Sequence, residues 1–171
     1  AAADLYELTQ ARMEAAGLPA YEISNHAAPG QESRHNLAYW RYQDYAGVGP
    51  GAHGRRGGMA TQRHRKPENF MSAVARNMHG LQVEDPLDAA TQAMEALLMG
   101  LRLREGVDIA ALSDRFAIDS GDLIDWTAVE KLAALGFVER EEAHLSVTPK
   151  GFPLLDAILP QIVAIEPAPD A

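Results

Sequence analysis

Residues 33–54 read SRHNLAYWRYQDYAGVGPGAHG, and the two halves of this stretch ask for different backbones. In the first half, His35, Asn36, Tyr39 and Trp40 form an HNxxYW cluster. On a helix His35 and Tyr39, four residues apart, share a face, and Trp40 flanks it. In the second half, Gly47, Gly49, Gly51 and Gly54 punctuate a run that also holds Pro50 and His53. Glycines at this density allow positive φ and close backbone approach. The residues alone leave alternatives open. A neutral imidazole can ligate haem iron, and flat apolar side chains beside it suit a macrocycle. The same cluster equally fits a short packed helix with a hydrogen-bonded histidine. The glycine turn can present N–H groups to an anion or a cofactor edge, or be a tight buried turn. Gly49, Gly51 and Gly54 match GxGxxG, but Pro50 intervenes and no clear helix follows, so this is not a dinucleotide fingerprint.

Outward from this stretch, Leu5, Leu8, Met13 and Ala16 predict a helix over 4–16, closed at Gly17. Ala20–Ser24 predicts a short strand, followed by a loop at Asn25, Pro29 and Gly30. Helix then strand is the repeat of a βα barrel. Beyond the aromatic cluster, Asp44–Val48 and Met59–Lys66 predict strands, and Pro67 opens a helix to about His79 with Phe70, Val74 and Met78 inward. Leu81–Val83 predicts another short strand.

From Pro86 the pattern turns helical. Asp85 and Pro86 suit the N-cap and first position of a helix with Met94, Leu97, Leu98 and Leu101 as its apolar stripe. Gly100, inside it, permits close packing. Asp108 predicts the cap of a helix through Phe116, and Asp119 or Ser120 the start of one running to Leu135. Phe137–Arg140 and Leu145–Val147 predict a hairpin, with His144 solvent-exposed in its link. A last helix follows Thr148–Gly151, with Leu154, Leu155, Ile158 and Leu159 inward, before a polar tail at Glu166–Ala171. Helix, helix, hairpin, helix is a winged-helix-like order. The fold class expected is α+β and helix-rich, in two parts with residues 1–80 and 81–171.

The ordered series LYE, YEISN, SRHNLAYW, DYAGVGPGAHG, KPE, LLMGLRLREGVD and LGFVE…LSVTPKGFPLLDAIL covers nearly the whole chain. It resembles the radical S-adenosylmethionine (SAM) proteins related to oxygen-independent coproporphyrinogen III oxidase, and within them the haem-chaperone branch of HemW type. The resemblance implies haem binding through His35, Asn36, Tyr39 and Trp40, with His35 as the iron ligand. It implies a SAM pocket near the backbone of Gly47, Gly49, Gly51 and Ala52. His53 reads as a packing histidine or a second haem ligand, and His26 takes no family role. It further implies that 1–80 are the closing βα elements of a partial, TIM-like barrel. Residues 81–171 are then a helical, winged-helix-like cap.

One departure is large. The family's radical chemistry needs a CxxxCxxC cluster loop for a [4Fe–4S] centre, and this chain has 0 cysteines. Thiolates are the usual cluster ligands. The expectation is therefore a C-terminal portion, inactive alone, whose partners are haem or porphyrin, haem-accepting proteins and the N-terminal barrel of the same protein. The cluster and SAM belong to that complete protein. A fragment of the oxidase itself and a non-catalytic winged-helix module are the alternatives.

Composition narrows the classes. Of 171 residues 47% are hydrophobic, enough for a core, but only 6% are aromatic. No cysteine excludes a disulfide scaffold, and no apolar run is long enough for a transmembrane helix. The expectation is a soluble, cytoplasmic protein. The net charge of -9 is uneven: residues 1–80 hold 9 basic and 7 acidic side chains, whereas 81–171 hold 6 and 17. Acidic residues Asp122, Asp125 and Glu130 against Lys131 on the expected recognition helix argue against nucleic acid. The positive charge collects at Arg34, Arg41, Arg55, Arg56, Arg63, Arg65 and Lys66, a solvated face or a collar for propionates or a cofactor carboxylate.

Overall fold

The computed structural model describes residues 2–164. In chain order, α1 (Ala2–Ala15) and α2 (Arg34–Trp40) are followed by the hairpin β1 (His53–Arg56) and β2 (Met59–Arg63), then α3 (Pro67–Asn77) and β3 (Leu81–Pro86). Next come α4 (Ala89–Gly100), β4 (Val107–Asp108), α5 (Ile109–Phe116), α6 (Ser120–Leu123) and α7 (Trp126–Ala134). A second hairpin, β5 (Val138–Glu141) and β6 (His144–Val147), leads through a 3-10 turn into α8 (Leu155–Ile162). The mixed helix and sheet class agrees with the expectation.

Contacts divide the chain into two compact units: the residues up to Tyr42 together with those from Ala89 onward, and Gln43–Asp88. This division does not coincide with a boundary near residue 80. The second unit interrupts the first in sequence, and within the first, helical unit the Tyr42 hydroxyl donates to Glu95 on α4 at 2.6 Å.

The helical unit holds one apolar core. Leu97 from α4, Leu101 just after it, Ile109 and Leu112 from α5, and Val129 and Leu132 from α7 meet Leu145, Phe152, Leu155 and Ile158. Its sheet is antiparallel in the order β4-β6-β5, with Val107 opposite Leu145 and Val138 opposite Val147. Gly100 lets β4 approach α4, since a Cβ there would lie 2.5 Å from Val107 Cγ2. Asp108 caps α5 as expected, its carboxylate accepting from the Ala111 N–H at 2.9 Å. The sheet unit is a three-stranded antiparallel sheet in the order β1-β2-β3, with Gly54 opposite Thr61 and Thr61 opposite Glu84. Pro67 starts α3 as expected.

Several expectations change. Ala20–Ser24 makes no strand: Ala20 and Glu22 form isolated antiparallel bridges, to His26 and Leu103. The Ser24 N–H that would extend the ladder donates instead to the buried Glu22 carboxylate, at 3.2 Å. A barrel strand needs parallel neighbours, and the ladders among the described residues are antiparallel. Asp44–Val48 contributes only a bridge from Tyr45 to Arg55. Pro86 ends a strand rather than opening a helix. It stands opposite Met59, and the Leu87 N–H continues the pairing to Gly58 O at 2.9 Å, so α4 waits until Ala89. A proline is tolerated at such a strand end because it owes the ladder no donor.

The helix expected from Asp119 to Leu135 is two. Ile124 is extended, the Asp125 N–H donates to Ile162 O at 2.8 Å, and the Asp125 side chain then caps α7 through the Ala128 N–H at 3.0 Å. Leu154 is exposed, while Leu155, Ile158 and Leu159 face inward. The polar tail lies outside the described residues. Among the described residues no helix is long and apolar enough to cross a membrane.

Candidate functional site

The HNxxYW cluster occupies α2. Ser33 caps it, its hydroxyl accepting from the Asn36 N–H at 3.3 Å, and the Arg41 N–H closes it on Leu37 O. The helix sorts the motif onto two sides. Asn36 and Trp40, four apart, turn toward the protein: Asn36 Nδ2 donates to Tyr21 Oη at 3.1 Å, and Trp40 lies under the Arg102 guanidinium at 5.7 Å. His35 is exposed, about 100° around the helix from Asn36, and the half-buried Tyr39 follows it one turn later. The Tyr39 and Trp40 rings meet edge to face, with centroids 5.0 Å apart and planes at 72°. They form a corner rather than a single flat platform.

Trp40 also walls a cavity of about 340 Å³ with Gly100, Val107, Leu112 and Arg115. At its rim Arg41 forms a two-pronged pair with Glu105, both contacts 2.7 Å. The hydrogen bond to Glu105 raises the Arg41 pKa against a smaller opposing effect of burial. His144 is not a free exposed link residue. Its Nε2 reaches the Glu105 carbonyl at 2.6 Å, and since a carbonyl only accepts, that nitrogen carries the proton.

The glycine run forms a turn whose tightness is internal. A Cβ on Gly47 would sit 2.1 Å from His53 O. Gly49 and Gly51 have φ of 93° and 74°, values that favour glycine. The Gly51 N–H donates to His64 O at 2.9 Å and the Ala52 N–H to Gly49 O at 3.3 Å. Those two donors are therefore spent within the unit. His53 is exposed, its Nε2 3.4 Å from Gln62 Nε2. Arg56, Thr61 and Arg63 line a cavity of about 210 Å³ with Asp44, Tyr45 and Leu81. Asp44 accepts from the Gly57 N–H at 2.9 Å, and Arg56 pairs with Glu84 at 2.8 Å.

The basic collar is divided between the two units, with Arg34 and Arg41 in one and Arg55 to Lys66 in the other. Tyr21, Arg102 and Tyr42, which fix α2 and the residues just after it, carry no signal of that role in the sequence. Their partners lie far along the chain, as with Asn36 and Tyr21, 15 residues apart. Among the described residues no cluster of three His, Asp or Glu side chains could hold a metal ion.

Residues 87–154 match the family described as the HemN C-terminal domain. The chain is 32% identical over 151 residues to the heme chaperone HemW of Bacillus subtilis (strain 168), covering 87% of this chain and 39% of the relative. The heme chaperone HemW of Mycobacterium tuberculosis (strain ATCC 25618 / H37Rv) is 32% identical over 154 residues, 90% of this chain and 37% of the relative. The mitochondrial radical S-adenosyl methionine domain-containing protein 1 of Bos taurus is 39% identical over 114 residues, 62% of this chain and 26% of the relative. Among solved structures, coproporphyrinogen III oxidase (HemN) from Escherichia coli, a radical SAM enzyme, matches with a TM-score of 0.71. That match has 17% identity and covers 92% of this chain and 40% of that one. This likeness shows the fold. The chain spans less than half the length of each of these relatives. It belongs to the HemN- and HemW-type family of radical SAM proteins, and corresponds to a C-terminal portion of that family.

Proposed function

We propose that this chain is the haem-binding C-terminal portion of a cytoplasmic radical SAM haem chaperone, which delivers haem to haem proteins. The observation that carries the reading is the sorting of the motif on α2. His35 is exposed, while Asn36 and Trp40 anchor the helix through Tyr21 and Arg102. An iron ligand needs an accessible imidazole on a rigid support, and second-sphere groups that fix its orientation. His35 is the ligand, Tyr39 flanks the macrocycle, and Asn36 and Trp40 are positioning residues. The relatives named heme chaperone HemW support the same reading.

The order α4, β4, α5, α7, β5, β6 with sheet order β4-β6-β5 supports a winged-helix-like cap for the residues from Ala89 onward. Its expected recognition helix carries too little positive charge for phosphate, so it serves as a cover rather than a nucleic-acid module. We assign residues 1–80 to the closing part of the barrel, completed by the rest of the full-length protein. The chain has no thiolate for a [4Fe–4S] cluster, so no radical step is assigned to it. A SAM contact at Gly47, Gly49, Gly51 and Ala52 in the complete protein would not draw on the Gly51 and Ala52 N–H groups, which are engaged. The oxidase reading is the second one, supported by the match of residues 87–154 to the HemN C-terminal domain and by the likeness in fold.

The test is a haem titration followed at the Soret band on this chain, on His35→Ala and on Trp40→Phe. The expected result is saturable binding, weakened at least about tenfold by His35→Ala and only about two- to threefold by Trp40→Phe, as loss of a ligand against loss of a support. Equal binding by His35→Ala would remove the ligand role. If this chain does not bind haem, the same pair of variants in the full-length protein decides.

A further inference from the structure

The Tyr6 hydroxyl and the Arg104 guanidinium are donors with no acceptor among the described residues. The Tyr6 ring packs against the core from α1, and its hydroxyl is buried without a hydrogen-bond partner among the described residues. The Arg104 N–H donates to Tyr21 O at 3.0 Å, and its guanidinium lies over the Phe152 ring, 4.0 Å from the centroid. Among the described residues that guanidinium enters no hydrogen bond or ion pair. Burial lowers the Arg104 pKa, against weaker opposing effects of Tyr6 and Glu14. It is a charge taken partly out of water, and the Phe152 ring, Tyr6 and Glu14 offset that only in part.

Both side chains line one cleft of about 610 Å³, whose apolar wall is Ala11, Pro19, Ala20, Pro149 and Pro153. That volume suits a small molecule or a peptide end. Lys150, also on the lining, donates to Leu135 O at 2.8 Å. Glu7 and Glu14 line the same cleft and disfavour a multiply charged anion such as phosphate.

We propose that this cleft binds a monocarboxylate with an apolar body, its carboxylate on the Arg104 guanidinium and its hydrocarbon part against the proline wall. A planar guanidinium matches a carboxylate's two oxygens. The Tyr6 hydroxyl is shut off from solvent although Tyr6 lines the cleft, so it reaches the carboxylate only when the Tyr6 ring shifts outward. The site is separate from the HNxxYW helix and stands or falls independently of the haem reading. A free organic acid and the C-terminal carboxylate of a protein share this chemistry.

The test uses two probes, 4-phenylbutyrate and acetyl-Ala-Ala-Phe with a free C-terminus, each against its neutral amide. Binding is read from the Ala11 and Ala20 amide signals by NMR. The expected result is saturable shifts with one acid or both, about tenfold weaker with the amides and with Arg104→Gln, and about threefold weaker with Tyr6→Phe. Tighter binding of phenylbutyrate assigns a free acid, and tighter binding of the peptide assigns a protein terminus. Arg104→Gln removes a charge that burial opposes, so it is expected to fold, and Arg104→Lys keeps the charge without the fork and binds at an intermediate level. No saturation by about 10 mM, well above the millimolar range of weak specific sites, would overturn the proposal. So would equal binding of acid and amide on the unaltered chain, a comparison that needs no variant.

Discussion

In the helical unit Leu97, Leu123 and Leu145 are 0% exposed, whereas the buried positions of Gln43–Asp88 are Gly47, Gly54, Arg55, Thr61, Ala73 and Gly80. The first unit is held by an apolar interior drawn from most of its helices and strands. The second has no large apolar side chain among its buried residues. Its order comes from ladder hydrogen bonds, from backbone close enough to exclude a Cβ, and from polar groups with partners. Hydrophobic burial is roughly proportional to apolar area removed from water, so the two units draw on different physics. On α3 Met71 and Val74 remain exposed, as does Met78 at its C-cap, although amphipathic spacing predicts Val74 and Met78 inward. A helix on so small a sheet has little apolar surface to meet.

This contrast can be broken first by Leu97→Ala. A Leu buried at 0% exposure is expected to cost about 3–5 kcal/mol on truncation. Both tryptophans, Trp40 and Trp126, belong to the helical unit. Urea unfolding followed by tryptophan fluorescence therefore reports that unit. If amide exchange in β1–β3 accelerates in step with the fluorescence midpoint, the two units are one cooperative body and the distinction fails. The converse change is Gly47→Ala, which sets a methyl 2.1 Å from His53 O. Its expected cost is about 2–3 kcal/mol, as for other overpacked sites. That loss should appear as faster exchange in β1 and β2 with an unchanged fluorescence midpoint. An equal loss in both readouts would again merge the units.

The same contrast explains what could be read in advance. Elements with a local signal came out: the Asp108 cap, Pro67 at the start of α3, the hairpin around Glu142, and Gly100 as a contact point. Pro86 misled because proline fits both a helix start and a strand end, and only the pairing with Met59 decides. Asp125 was absorbed into a longer helix because Leu123, Ile124 and Val129 keep nearly helical spacing. What breaks it is a distant carbonyl, Ile162 O. In the candidate site, the position of HNxxYW on a short helix was legible from spacing. Which side of it faces the protein was not, since that depends on Tyr21 and Arg102. The glycine turn was legible as a turn. The use of its Gly51 and Ala52 N–H groups depends on His64 and Gly49 carbonyls that no motif encodes.

Smaller changes sharpen the picture within the helical unit. Asp108→Ala and Asp125→Ala each remove one cap, and each is expected to cost about 1 kcal/mol. The two should add, because α5 and α7 have separate caps. Strong non-additivity would mean that the restart at Asp125 is coupled to α5, and that α6 is a joint rather than a step. The smallest effect is expected at Arg41. Its pair with Glu105 is short and two-pronged, yet both side chains are nearly half exposed, at 44% and 48%. Solvent screening then holds its worth to under about 1 kcal/mol. Arg41→Ala should lower the fluorescence midpoint only slightly at low salt, and the difference should fade near about 1 M salt, where the Debye length is about 3 Å. A salt-independent loss would show that the Arg41 stem supports the Trp40 cavity by packing. In that case the segment that joins α2 to the core is held by contact rather than charge.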